Sequence, residues 1–450
     1  MTPLALIIQA RGGRVEGSDR ALDQGRNAER FDFLRARGVL LHPQDGSGVS
    51  RAGQIVVTSA AVEETVPDVQ AARRIGAVVT TRARLLAELF NSAGLGVGVA
   101  GTSGKSTTTG MIAWVLSRAG RDPTVMNGAV MKNFVTPDAL FASALVGKGD
   151  AFVSEVDESD GSIARYKPTI AVVNNIALDH KSMDELRALF RDFVGKAEIG
   201  VLNLDNEETA ALVLSAKVRT RSYSIKSPLA DLHASEIRQA PDGVTFAVFE
   251  RQGGAHARVT LAVPGAHNVS NALAALSAAR AYGLSLVEAA RALEGFSGTK
   301  RRMEIVGTAN GVIVIDDFAH NPDKITATLA TLHAFPGRLL IMFQPHGFGP
   351  LKLMKNEFTA CFADNMAADD VLIMPDPVYY GGTVDRSVSS EHIAAGVRAR
   401  GLQGMAFAER AACGDKLLEL AEPGDRIVVM GARDDTLSTF AAELVAGLAR

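Results

Sequence analysis

The sequence predicts an α/β protein built on parallel sheets, and three observations carry that reading. Short runs rich in Val and Ile alternate with longer segments of helical period along the 450 residues. A glycine-rich turn at 98–107 joins one such run to a helix, as a phosphate-binding loop does. Acidic or Asn/His residues close several of the apolar runs, and α/β folds place their sites at the carboxyl ends of strands.

Strands are expected at 54–58, 96–100, 151–156, 169–174, 312–316, 338–343, 370–374 and 426–430. Helices are expected at 69–74, 107–119, 183–194, 271–282, 324–334 and 437–448. Small and polar residues at 91–95 and 295–300 separate one periodic block from the next. At roughly 150 residues per domain the length fits three, expected at 1–92, 93–297 and 298–450. The stretch 234–264, which turns at Pro241-Asp242-Gly243 and Gly253-Gly254, reads as a small antiparallel appendage on the middle domain. The start is unusual, because residues 3–11 look helical and 14–17 extended, whereas a nucleotide-binding α/β domain opens with a strand and a Gly-rich turn.

Composition narrows the function. Lys+Arg 47 against Asp+Glu 50 leaves a net charge of -3, so no overall positive field draws the chain to nucleic acid or an anionic membrane. Any anion must therefore be held locally. Two cysteines, Cys361 and Cys413, cannot make a disulfide framework and fit a reducing compartment. Apolar stretches break well short of the roughly 20 residues a bilayer needs. A cytoplasmic protein without membrane insertion is the expectation.

The strongest chemical signal is Gly98-Val99-Ala100-Gly101-Thr102-Ser103-Gly104-Lys105-Ser106-Thr107. Its backbone N–H groups can wrap a phosphate at a helix N-terminus, Lys105 can reach β- and γ-phosphates, and the Ser106 hydroxyl can ligate Mg2+. A turn whose glycines serve geometry alone would not need the adjoining Lys-Ser. Ser154-Glu155-Val156-Asp157-Glu158-Ser159-Asp160 ends another apolar run, and carboxylates there suit hard oxygen ligation of Mg2+. An isolated acidic run is ordinarily a solvated turn, and the nearby phosphate loop is what singles out Glu155 ahead of Asp157 and Glu158.

Asn174-Asn175-Ile176-Ala177-Leu178-Asp179-His180 follows the next run, where His180 could bind a metal or orient a reacting group or be an ordinary polar residue. Gly265-Ala266-His267-Asn268-Val269-Ser270-Asn271 opens a helix, and its Asn side chains could cap that helix or bond a base edge. Farther on, Arg301-Arg302, Asp316-Asp317-Phe318-Ala319-His320-Asn321-Pro322 and Gln344-Pro345-His346 lie at a seam or at strand ends. Each alone would pass for solvated surface.

Taken in order, these motifs resemble the Mur ligase family, ATP-dependent ligases that build the peptide stem of peptidoglycan. The resemblance covers nearly the whole chain. Within the family it is most similar to the branch joining UDP-N-acetylmuramate to L-alanine, through the G-T-x-G-K-[ST]-T-T loop, the E-x-D-E-S-D run and the D-D-[YF]-x-H-x-P segment. A relative that recycles a whole tripeptide onto UDP-N-acetylmuramate shares much of the pattern and stays an alternative.

The resemblance implies a Rossmann-like N-terminal domain for the UDP substrate, a central P-loop ATPase domain and a Rossmann-like C-terminal domain. It implies Gly101, Thr102, Gly104, Lys105, Ser106 and Thr107 on the ATP phosphates, Ser106, Glu155 and His180 on Mg2+, and Asn268 with Asn271 on the adenine. Asp317 would meet the ribose, and Arg302 the γ-phosphate. Lys105, His180 and Arg302 would be catalytic, in phosphoryl transfer to a carboxylate followed by attack of an amine on the acyl phosphate. Ser18, Asp19, Ser59, His320, His346 and Arg386 would border the nucleotide sugar or the amine, an amino acid or peptide.

Three comparisons with the family pattern matter. The family's first strand and G-x-G-G-x-G-M turn, which holds the UDP moiety, are expected to be missing, since Met1 stands where that turn ends. Gly17-Ser18-Asp19 and Thr58-Ser59-Ala60 resemble later parts of the same domain. Where the alanine-adding branch reads Q-P-H-R-Y-[ST]-R-T, this chain reads Gln344-Pro345-His346-Gly347-Phe348-Gly349-Pro350-Leu351, without both arginines. Arg386, in Tyr379-Tyr380-Gly381-Gly382-Thr383-Val384-Asp385-Arg386-Ser387, could supply the carboxylate contact instead or belong to a surface turn. Lys196 lies where other branches carry a carbamylated lysine, a feature the alanine-adding branch lacks. Two further readings stand beside this one: a folylpolyglutamate synthase-like ligase, against which the E-x-D-E-S-D run argues, and a nucleotide-binding regulatory module that has lost ligation.

Overall fold

The computed structural model describes residues 1–59, 62–178, 181–377, 386–432, 434 and 436–450. They form two compact units. The first holds Met1–Glu236, Phe246–Val259 and Val269–Phe296, and the second Ile237–Thr245, Thr260–Asn268 and Ser297–Arg450.

A ten-stranded sheet runs in the order His256–Leu261, Gly243–Glu250, Leu232–Ala240, Arg219–Ser224, Ile199–Asn203, Ile170–Val173, Leu95–Ala100, Ala151–Glu155, Thr124–Met126, Ala144–Leu145. Leu95–Ala100 lies between two parallel neighbours, Val97 pairing with Val153 on one side and Ile170 on the other. A strand covered on both faces reads as an unbroken apolar run, and Gly96 to Ala100 are all buried. Its glycines admit aromatic rings: a Cβ on Gly96 would stand 2.7 Å from the Phe90 ring, and one on Gly98 2.9 Å from Phe193. Both rings belong to a core that also holds Leu4, Ile7, Phe152, Tyr166 and Phe190. The helix Thr2–Ala10 thus joins that core through Leu4 and Ile7.

The helix Met183–Gly195 starts where Ser182 and Glu185 cap each other's backbone N–H groups. The stretch expected to be an appendage does form strands. Tyr223 and Ser224 pair in parallel with Leu232 and His233, so those strands continue the large sheet rather than standing apart from it. The first ninety residues carry two parallel pairs, Glu16–Ser18 with Leu40–His42 and Ile55–Thr58 with Val78–Thr81.

The second unit holds a six-stranded sheet ordered Glu304–Ala309, Val312–Asp317, Arg426–Gly431, Leu339–Gln344, Val371–Pro375, Gln403–Phe407. Only the first strand pairs antiparallel. One cluster gathers Ile341 and Phe343 with helix residues Ile325, Leu329, Phe358 and Phe362, and another gathers Leu340 and Met342 with Leu417, Leu437 and Leu444. Alternate residues of one strand thus serve opposite faces, the doubly wound arrangement. Each large apolar side chain buried this way contributes about 2 kcal/mol. No helix among the described residues is long and apolar enough to cross a membrane.

Candidate active site

The phosphate-loop sequence leaves the sheet at the carboxyl end of Leu95–Ala100, between Glu155 and Val173 of the neighbouring strands. Gly104 sits at φ 79 at the N-terminus of the helix Lys105–Arg118, a backbone conformation costly for any residue with a Cβ. A Cβ there would also stand 2.5 Å from Asn271 Oδ1 and 2.8 Å from Asn174 Nδ2. Bonds to the segment after Val173 hold the loop. Thr102 N donates to Asn175 O at 3.1 Å, Ser103 N to Asn175 Oδ1 at 2.9 Å, and Thr102 Oγ1 exchanges bonds with the Ala177 backbone at 3.0 and 3.1 Å.

Behind the loop runs a buried polar chain. Asn174 Nδ2 donates to Thr108 Oγ1 at 2.9 Å, which donates to Asn271 Oδ1 at 3.2 Å, while Tyr223 donates to Asn174 Oδ1 at 3.4 Å. Such satisfied networks rigidify what they touch. Lys105 Nζ donates to the Gly101 carbonyl at 2.7 Å and to both Glu158 carboxylate oxygens at 2.9 and 3.2 Å. Burial pushes the Glu158 carboxyl above its ordinary range despite that ammonium.

Ser106 and Thr107 are buried in the first turn of the helix, and the Ser106 carbonyl accepts from Asn127 Nδ2 at 3.0 Å. Glu155, closing Ala151–Glu155, accepts from Gly128 N at 2.8 Å. A Cβ on Gly128 would meet that carboxylate at 2.6 Å. A hydroxyl at a helix start and a carboxylate at an adjacent strand end are hard oxygen donors of the kind Mg2+ takes together with phosphate and water. Among the described residues no group of three His, Cys, Asp or Glu side chains could hold a metal alone. Asp179 and His180 lie outside the described residues.

In the second unit the strand ends gather the other candidates. Asp317 pairs in register with Met430, and Gln344 with Gly431. Asp317 is buried and accepts from Met303 N at 3.0 Å and Thr328 Oγ1 at 2.6 Å. The two adjacent arginines part ways. Arg301, buried, meets Asp316 at 3.3 Å and donates to the Gly431 and Asp434 carbonyls at 2.7 and 3.1 Å. Arg302 lies with its guanidinium 4.7 Å from the Phe318 ring centre.

His320 Nδ1 is 2.8 Å from the Phe318 carbonyl, and its ring meets that of His346 edge-on at 5.7 Å. Burial holds the His320 imidazole down at about 4. With Nδ1 donating to a carbonyl, the neutral ring keeps a lone pair on Nε2. Asn321 caps the helix Pro322–His333. Asn268 donates from Nδ2 to the Pro264 carbonyl at 2.7 Å.

The N-terminal candidates are bound into their own surroundings. Ser18 donates to the buried Asp68 carboxylate, Asp19 caps the helix Arg20–Asp23, and the Ser59 carbonyl accepts from Val62 N. Arg386 is exposed, and Tyr379 to Asp385 before it lie outside the described residues. Sequence reasoning passed over Thr108, Asn127 and Gly128. The run Thr107-Thr108-Thr109 inside a helix was the available signal, since β-branched hydroxyl residues there need a packing reason.

Comparison with known proteins agrees with this geometry along the chain. The family models that match are "Mur ligase family, catalytic domain" over residues 1–93, "Mur ligase middle domain" over 99–279 and "Mur ligase, glutamate ligase domain" over 301–433. The UDP-N-acetylmuramate--L-alanine ligase of Desulfosudis oleivorans is 36% identical over 446 residues, 96% of this chain and 93% of that protein. The ligase of the same name from Geotalea uraniireducens is 33% identical over 441 residues, 96% and 92% of the two chains. Among solved structures, the UDP-N-acetylmuramate-alanine ligase of Thermotoga maritima shares the fold, with a TM-score of 0.77 at 23% identity over 99% of this chain and 95% of that one. A murein peptide ligase from Psychrobacter arcticus matches with a TM-score of 0.70 at 25% identity, covering 100% and 96%. A braced phosphate loop with its strand-end carboxylate, carried by a chain that aligns with these ligases almost end to end, establishes that this protein belongs to the Mur ligase family.

Proposed function

We propose that the protein is the ATP-dependent ligase that joins L-alanine to the carboxylate of UDP-N-acetylmuramate. The observation that carries this reading is the loop Gly101–Thr107, locked in shape around Lys105 beside Glu155, in a chain whose full-length relatives bear that name. Forming an amide from a carboxylate requires a leaving group better than hydroxide, and phosphoryl transfer from ATP supplies it. The amine then attacks the acyl phosphate through a tetrahedral oxyanion, and phosphate departs.

In this reading the loop amides and Lys105 bind the phosphate oxygens, where fixed dipoles and charge are worth most in phosphoryl transfer. Ser106 and Glu155, with His180, would hold Mg2+, which neutralises phosphate charge when bound. Asn268 and Asn271 border the adenine, Asp317 the ribose, and Arg302 reaches the γ-phosphate. The domains 1–92, 93–297 and 298–450 take the nucleotide sugar, ATP and the amine respectively. Ser18, Asp19 and Ser59 serve the sugar side, and His320, His346 and Arg386 the amine side.

A second reading has a specific observation behind it. The residues after His346 are Gly347 and Phe348, which removes guanidinium charge from the amine side and suits a larger amine such as a tripeptide. Phosphate release from ATP with UDP-N-acetylmuramate and Mg2+ separates the two. Stimulation by L-alanine alone supports the first reading. Stimulation by the tripeptide L-alanyl-γ-D-glutamyl-meso-diaminopimelate alone replaces it with the second, and silence with every amine overturns both. An unchanged amine KM in Arg386→Ala would remove Arg386 from the site.

A further inference from the structure

The Lys105 ammonium, the group that should meet the nucleotide phosphates, already has an anionic partner. Its Nζ contacts both oxygens of Glu158, and the two side chains are 14% and 5% exposed, so water screens the pair weakly. Glu158 is held from its own side too. The loop after it is folded by Ser159 N and Ser162 N donating to Asp157 and Asp160 at 2.9 and 2.8 Å, and by Gly161 N donating to the Glu158 carbonyl at 3.1 Å. The carboxylate is thereby fixed against the mouth of the phosphate loop.

We propose that Glu158 is a positioning residue that gates nucleotide binding: its carboxylate holds Lys105 against the Gly101 carbonyl, and phosphate oxygens take Lys105 over by displacing that carboxylate. The inference rests on the reading of Lys105 as a phosphate ligand. A phosphate entering the loop brings negative charge next to a buried carboxylate, and two anions cannot share one ammonium without cost. Burial already raises the carboxyl above its usual range, so the charge left behind by exchange is one its surroundings resist. The device gives specificity. A weak anion cannot displace a chelating carboxylate, whereas a di- or triphosphate that also bonds the loop amides can.

The test is calorimetric titration of Mg·ADP into the wild-type protein and into Glu158→Gln, Glu158→Asp and Lys105→Ala. Glu158→Gln keeps an acceptor for Lys105 and removes the competing charge, so Kd should fall about tenfold, as expected for deleting one nearby like charge in a partly screened site. Glu158→Asp retains the charge and should bind within about twofold of wild type. Affinity lowered or unchanged in Glu158→Gln, with its melting temperature kept, overturns the proposal in favour of plain structural support. Failure of the parent reading looks different: wild type and Lys105→Ala would then bind Mg·ADP equally, or not at all, and the proposal would fall with it. A melting-temperature loss in Glu158→Gln is resolved by phosphate inhibition of Mg·ADP binding in Glu158→Asp, which should match wild type if charge governs access and differ if packing does.

Discussion

Asn271 Oδ1 stands 2.5 Å from the point a Cβ on Gly104 would occupy. The carboxamide therefore fills the space that the missing side chain leaves, and the loop's shape depends on both residues. Gly104→Ala meets two penalties, the positive φ and the overlap with Asn271 and Asn174. Gly120, at φ 71 with nothing within 4 Å of its Cβ position, isolates the first. Both alanine variants should lose about 1–2 kcal/mol of stability from backbone strain, and only Gly104→Ala should also weaken Mg·ADP binding, by at least about tenfold. Equal affinities in the two variants would show that the loop tolerates a side chain there.

Arg301 and Arg302 are neighbours with opposite duties. Arg301 is bonded to Asp316 and to two backbone carbonyls, so Arg301→Ala leaves the buried Asp316 carboxylate without that cation, though Ser438 Oγ still donates to it at 2.7 Å. Loss of one partner from such a buried pair costs about 3–5 kcal/mol, read as a lower urea midpoint. Arg302 lies over the Phe318 face at 4.7 Å, a contact that Arg301 shares at 5.0 Å beside its own bonds. Removal of Arg302 should keep the unfolding free energy within about 1 kcal/mol and lower kcat about 100-fold or more if it stabilises charge on the transferring phosphoryl group. Similar stability losses in both variants would refute this division.

How far the sequence foretold this arrangement differs from residue to residue. Leu95–Ala100 was readable because burial on both faces leaves an unbroken apolar run, and the glycines after it carry their own turn chemistry. The hairpin strands from Leu232 were readable as strands, but their parallel attachment to Tyr223 and Ser224 is a long-range pairing that no local period records. Arg301 and Arg302 look alike in a sequence, and only the position of Asp316 tells the buried structural one from its half-buried neighbour. Glu158 drew attention as a carboxylate; its partner Lys105 is fifty-three residues away in sequence, and such a distance hides the pair.

His320 titrates abnormally low, at about 4, chiefly through burial, with the positive charges of Lys324, His346 and Arg302 adding to it. In the unfolded chain its imidazole returns to about 6.5. Between those values the unfolded state binds the extra proton, so the stability His320 contributes is complete above pH 6.5 and is lost as pH falls toward 4. Wild type should therefore lose about 2 kcal/mol more than His320→Asn between pH 7 and pH 4.5, after allowance for partial solvent exposure. Parallel urea titrations at the two pH values measure the difference. Identical losses would mean that His320 is protonated as readily in the folded protein as in the unfolded one.

Asp68 links three segments of the N-terminal region: it lies in the helix Pro67–Ile75 and accepts from Ser18 at the end of Glu16–Ser18 and from Gly46 N at 2.9 Å. Its carboxylate is buried, so Asp68→Ala strands the Gly46 N–H and the Ser18 hydroxyl without a protein acceptor. About 2 kcal/mol of stability should go with it. Asp68→Asn keeps one acceptor oxygen and should cost less than half as much. If Ser18 serves the nucleotide sugar, Asp68→Ala should also raise the KM for UDP-N-acetylmuramate several-fold through a misplaced Ser18, with kcat and the KM for ATP unchanged. A loss of stability without that rise in KM would leave Ser18 a purely structural residue, tying the first strand to the helix that follows the third.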